Sequence, residues 1–129
     1  MPLLKFDIIR GRSDEEIRQL LDAAHEAMVE AFEVPLTDRY QTVTQHQPEE
    51  LILEDTGLRY RRSADVILLT VISRPRSQAQ KTKFYGLLVE KLQTSIAISP
   101  DDVIVSLVEN ADADWSFGRG RAQFLTGEL

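Results

Sequence analysis

Two hydrophobic spacings alternate along the chain. Leu3-Leu4-Lys5-Phe6-Asp7-Ile8-Ile9 is apolar except at Lys5 and Asp7, the pattern of a largely buried strand. Beyond Arg10-Gly11-Arg12 the period becomes helical, with Ile17, Leu20, Leu21, Ala24, Met28, Ala31 and Phe32 on one stripe. Ser13 and Glu16 have the spacing of a capping box, and Asp14 and Glu15 place negative charge in the first turn. A helix is therefore predicted over 14–32. Val34-Pro35-Leu36-Thr37 breaks it, and alternation over 40–46 predicts a second strand.

The same order then recurs. The run from Ala64 to Ile72 is apolar and β-branched, Arg74-Pro75-Arg76 ends it, and Ser77 with Gln80 supplies a second capping box. Phe84, Tyr85, Leu88, Leu92 and Ile96 form a second helical stripe, which Ser99-Pro100-Asp101 closes before a fourth strand over 103–108. Ser13 and Ser77, Leu20 and Phe84, Met28 and Leu92, and Asp38 and Asp102 all stand at one constant offset. We read a duplicated β-α-β unit, with pseudo-repeats over about 2–46 and 66–110. The chain is expected to be a single α+β domain over 1–129. Each unit should hold two parallel strands, giving a four-stranded core sheet with two helices on one face. No third helix is predicted to cover the other face, so self-association is expected there. Two segments fall outside the repeat. Leu51 to Glu54 with a turn at Asp55-Thr56-Gly57 and a return over 58–62 suggests a small hairpin. The tail gathers Trp115 and Phe117 in a glycine-rich loop, as loops that close pockets or interfaces do.

Composition narrows the chemistry. A chain of 129 residues with 43% hydrophobic and 28% charged residues suits one globular core. A net charge of -6 argues against nucleic-acid binding. Without cysteine there is no thiol chemistry, and two histidines, His25 and His46, make a metal site unexpected. Neither a membrane span nor a signal peptide is visible, so the expectation is a cytoplasmic protein without cofactor or metal.

Duplicated halves reveal specialisation where they differ. Pro2 follows the initiator methionine, whose removal is expected because the next residue is small and cyclic. The product is a secondary amine at the start of a strand, and free α-amino groups titrate at roughly 7.7–8.0. Its repeat counterpart, Val66, is internal. Arg74 and Arg76, held by Pro75, can grip a carboxylate through bidentate, charge-assisted hydrogen bonds. Taken singly, these arginines read as solvated loop residues and Asp38 as a turn residue. With Pro2 they make a coherent set of amine, carboxylate and anion clamp. His25, at the edge of the first stripe, reads as a partly buried surface histidine.

These residues resemble the tautomerase superfamily over essentially the whole chain, and within it the malonate semialdehyde decarboxylase branch. Pro2 matches the catalytic proline, Asp38 its carboxylate partner, and Val71-Ile72-Ser73-Arg74-Pro75-Arg76-Ser77 the arginine segment. Pro100-Asp101-Asp102-Val103 and Trp115-Ser116-Phe117-Gly118 are similar to segments widespread in the superfamily. The resemblance implies a homotrimer with one site per subunit that decarboxylates a small 3-oxo acid, a carboxylated carbonyl substrate, with the Pro2 amine as acid or electrophile and Arg74 and Arg76 holding the carboxylate. It also implies an apolar pocket wall made by Trp115, Phe117, Phe124 and Leu129. A tautomerase using neutral Pro2 as base, a hydratase or dehalogenase with Tyr40 as a loose candidate for activating water, and a non-catalytic trimeric binding protein are the alternatives.

Overall fold

Each predicted repeat folds as a strand, a helical crossover and a parallel strand. A computed structural model describes residues 2–129, so the expected trimming of Met1 lies outside the described residues. Strand β1 (Leu3–Ile9) leads through helix α1 (Asp14–Phe32) to β2 (Tyr40–His46). Strand β3 (Ile67–Ser73) leads through α2 (Gln78–Ile96) to β4 (Val103–Glu109). Both capping boxes form: the Ser13 and Ser77 side chains accept from the backbone N–H of Glu16 and Gln80. Both helices end in a left-handed residue, Glu33 and Ala97.

The sheet order is β2-β1-β3-β4, parallel within each repeat and antiparallel where β1 meets β3. Leu4, Phe6, Ile8, Ile67, Leu69 and Val71 point to the helices and are fully or nearly fully buried. They share one core with Leu20, Met28 and Phe32 of α1 and Phe84, Leu88 and Leu92 of α2. Both helices therefore lie on one face, and α1 packs against α2. The opposite face carries Leu3, Leu68, Thr70 and Ile72, all only partly buried, and Val108, which is half exposed. Among the described residues its apolar side chains have no covering layer, as the one-sided pattern predicts.

Three expectations are corrected. Ala64 and Asp65 form a turn rather than the start of β3. Tyr85 is 38% exposed and sits outside the core stripe, since it is one residue and about 100° past Phe84 on the helix. The hairpin over 51–62 does not form. A short 3₁₀ turn (Pro48–Glu50) precedes it, and the rest is irregular. Side chains take over the bonds a ladder would have used: the Asp55 carboxylate accepts from the backbone N–H of Gly57, Arg59 and Tyr60. The segment is then tied across to the start of β4. Arg61 donates its backbone N–H to Asp101, and Ser63 donates from both N and Oγ to Asp102 at 2.6 Å.

Asp102 is 2% exposed, so those bonds are what make its burial tolerable. Asp102→Ala is expected to lower the free energy of unfolding by about 1–3 kcal/mol. Urea titration reads this as a lower midpoint with unchanged slope.

Candidate active site

One end of the sheet collects the chemically capable residues. Leu3 is registered with Tyr40 on one side and Ile72 on the other. The start of β1, the turn before β2 and the loop after β3 therefore converge. Pro2 is buried there. Asp38, two residues before Tyr40, is 5% exposed, and neither carboxylate oxygen has a hydrogen-bond partner among the described residues. Burial pushes the Asp38 carboxyl above its ordinary range; the nearby charges of Arg76 and Arg74 pull the other way. A buried carboxylate so placed requires a cation beside it.

Asp102, its repeat counterpart, sharpens the point. Both aspartates end the same turn, with Asp38 N–H on the Pro35 carbonyl at 3.0 Å and Asp102 N–H on the Ser99 carbonyl at 2.9 Å. Yet Asp102 is saturated by Ser63, whereas Asp38 is left open. The same residue in the same local fold is structural at one end of the sheet and available at the other.

The arginine pair stands at the available end. Arg76 donates from Nε to Ser73 Oγ at 3.1 Å and from Nη1 to the Phe32 carbonyl at 3.4 Å, with its guanidinium carbon 5.1 Å from the Phe32 ring centroid. Its pKa is lowered by burial first and by the neighbouring Arg74 charge second, with Asp38 opposing. Arg74 pairs with Asp112 at 3.1 Å and lies over Phe124, 3.8 Å from the ring centroid. Arg74 Nε and Arg76 Nη2 are each buried without a partner among the described residues. Two like charges with unused donors, side by side and partly desolvated, form an anion-binding arrangement.

The tail arrives at the same end, because β4 ends beside Ser73 and Asn110 donates its N–H to the Ser73 carbonyl at 2.8 Å. Trp115 donates from Nε1 to Asn110 Oδ1 at 2.7 Å. Its ring stacks on Phe117 with centroids 5.3 Å apart; Phe117 meets Phe124 edge-on at 5.4 Å and Tyr40 at 5.7 Å. Trp115, Phe117 and Phe124 thus form one aromatic cluster against Arg74. Leu129 is 59% exposed, its backbone N–H on the Gln123 carbonyl, and is not enclosed with that cluster in the single chain.

Three supporting residues were not picked out from the sequence. Ser73 holds Arg76 and donates from Oγ to the Arg74 carbonyl; its signal was a polar residue at an inward position of an apolar strand. Phe32 presents ring and carbonyl to Arg76, and Asp112 pairs with Arg74; neither has a sequence signature. His25 is corrected from a partly buried surface residue to a buried one, 4% exposed. Among the described residues there is no group of three or more side chains arranged to hold a metal ion, and no helix is long and apolar enough to cross a membrane.

Comparison with known proteins agrees with this fold. Sequence models of the family described as "Tautomerase enzyme" match residues 2–61 and 38–118. The chain belongs to the tautomerase family. The "Probable tautomerase YrdN" of Bacillus subtilis (strain 168) is 52% identical over 129 residues, covering 100% of both chains. A solved malonate semialdehyde decarboxylase, studied for its decarboxylase and hydratase activities, is 68% identical with a TM-score of 0.97, covering 98% of each chain. A second, inhibited by 3-bromopropiolate, is 39% identical with a TM-score of 0.94, covering 98% of this chain and 97% of the other. The tautomerase fold and the kinship with malonate semialdehyde decarboxylase thus agree with the family resemblance read from the sequence.

Proposed function

We propose that this tautomerase-family protein decarboxylates a small 3-oxo acid, malonate semialdehyde, using the Pro2 amine released when Met1 is removed. The observation that carries the reading is the pair of arginines with unused buried donors beside an unsatisfied buried carboxylate. Kinship with two malonate semialdehyde decarboxylases supports it. Arg74 and Arg76 hold the substrate carboxylate and orient its C–C bond. As carbon dioxide leaves, the bonding electrons pass toward the aldehyde oxygen; protonated Pro2, kept cationic by Asp38, donates to that oxygen as charge develops. The enolate, its oxygen still hydrogen-bonded to Pro2, then takes a proton at carbon from water to give acetaldehyde, and the hydroxide left behind combines with the carbon dioxide as bicarbonate. The Trp115, Phe117 and Phe124 rings supply a low-dielectric wall in which these charge interactions are strong.

The curated relative's name favours one second reading, a keto-enol tautomerase in which neutral Pro2 moves a proton between carbon and oxygen. The test offers malonate semialdehyde and an enol pyruvate side by side to protein whose N-terminal proline is verified by mass spectrometry. Faster turnover of the semialdehyde to acetaldehyde is the expected result. Ketonisation of the enol with the semialdehyde untouched would overturn the proposal in favour of the tautomerase.

The uncovered sheet face supports a homotrimer in which the faces pack inward, each subunit carrying one site. Sedimentation equilibrium is expected to return three times the 14.7 kDa chain mass at micromolar concentration. A stable monomer there would defeat the assembly.

A further inference from the structure

His25 is a buried histidine that the proposed reaction does not use. Its Nε2 lies 2.6 Å from the Leu36 carbonyl oxygen, so that nitrogen carries the proton and donates. Its Nδ1 is buried with no partner among the described residues. The bond reaches from the middle of α1 into the turn that ends at Asp38. Other ties between α1 and this segment run from Arg39 to Asp22 and from Gln41 to the Leu21 carbonyl. The first is a largely exposed ion pair and fixes little. The Leu36 side chain, 69% exposed, does not anchor the turn by packing.

The duplication provides an internal control. In the second repeat the corresponding turn is secured through the carboxylate itself, which Ser63 grips from both N and Oγ. The position matching His25 is Val89, which has no side-chain hydrogen-bonding group. In the first repeat the carboxylate is left unbonded and the turn is held from the helix side instead. We propose that His25 is a positioning residue for Asp38: by donating to the Leu36 carbonyl it fixes the Pro35–Asp38 turn, so the carboxylate is presented, uncommitted, to the Pro2 end of the sheet.

This inference rests on the reading of Asp38 as the partner of Pro2. The charged groups facing the ring are Asp22 and Glu26 on its own helix, Arg39 across the cleft and Asp38 in the turn. Glutamine can set an amide N–H where the imidazole Nε2 now sits, whereas leucine fills the space without a donor.

The experiment compares His25→Leu and His25→Gln with the parent, reading amide hydrogen exchange at Asp38, NMR titration of its carboxyl, and kcat/KM. In His25→Leu, exchange at the Asp38 amide is expected to quicken, the carboxyl titration to move, and kcat/KM to fall about tenfold, the scale of one hydrogen bond. His25→Gln is expected to bring all three back to within about threefold of the parent. Parent-like exchange and titration in His25→Leu, or a His25→Gln that folds and restores nothing, would overturn the proposal. If His25→Leu does not fold, His25→Asn replaces it, being too short to reach the carbonyl. If the parent lacks decarboxylase activity the function assignment fails, while exchange and titration still decide the role of His25.

Discussion

Arg74→Ala and Arg76→Ala are each expected to lower kcat/KM for malonate semialdehyde by about 30- to 900-fold, which corresponds to about 2–4 kcal/mol of transition-state stabilisation. The magnitude follows from desolvation: each guanidinium is partly buried and keeps one donor unused, ready for an anion. The repeat counterparts, Arg10 and Arg12, provide the control. Arg12 spends a donor on the Asp65 carbonyl at 2.6 Å and lies near Asp65, Glu16 and Asp102, so its charge is already answered. Arg10→Ala and Arg12→Ala are expected to change kcat/KM by less than about threefold. Steady-state kinetics on the four variants check this; equal losses from both pairs would mean that neither acts as a selective clamp.

Asp38→Asn is expected to reduce decarboxylation by about 10- to 100-fold at neutral pH while leaving the protein at least as stable as the parent. The two halves of that prediction share one cause. Burial is the largest influence on the Asp38 carboxyl and raises its pKa. The native state therefore holds the proton more tightly than the unfolded chain does. Stability contributed by this group is present below the ordinary value of 3.8 and is lost as pH rises from there through the elevated native pKa. Asparagine removes that loss. On the proposed mechanism it also removes the charge that keeps the proline amine protonated, so the amine pKa is expected to fall and any tautomerase activity to persist or rise. The checks are pH–rate profiles for both reactions, NMR titration of the proline nitrogen, and urea unfolding across pH. Both activities falling together while the proline titrates unchanged would remove Asp38 as its electrostatic partner.

The elements were legible where local and global signals coincide. Helix α1 begins and ends at Asp14 and Phe32 as its capping box and stripe require, and β2 spans the alternation from Tyr40 to His46. The parallel pairing within each repeat followed from the crossover geometry; the expected want of a third helix is corrected by the single turn Gln123–Thr126, which is too short to cover the sheet face. Leu51-Ile52-Leu53 misled because an apolar run promises a strand only if its backbone groups remain free for a ladder, and here Asp55, Asp101 and Asp102 bind the backbone of the following residues first. Asp38 could be nominated from the repeat, but not separated from Asp102, since the two occupy the same turn. The difference lies in Ser63, outside the matched repeat, and becomes visible only when the linker is folded against β4. His25 was undervalued because helical periodicity places a residue on a face without saying what approaches that face from a distant loop.

The Ser63 linker also gives the far end of the sheet a particular character. There the chain supplies its own occupant: Ser63 satisfies the buried aspartate, and the Asp65 carbonyl takes the arginine donor that its twin keeps for an anion. A group tethered in this way competes at an effective concentration that short flexible connections place in the millimolar range, about that of an abundant metabolite. Two ends of nearly the same construction thus differ less in architecture than in the connecting segment, which gives Asp102 and Arg12 internal partners while Asp38 and Arg76 keep polar atoms unused among the described residues.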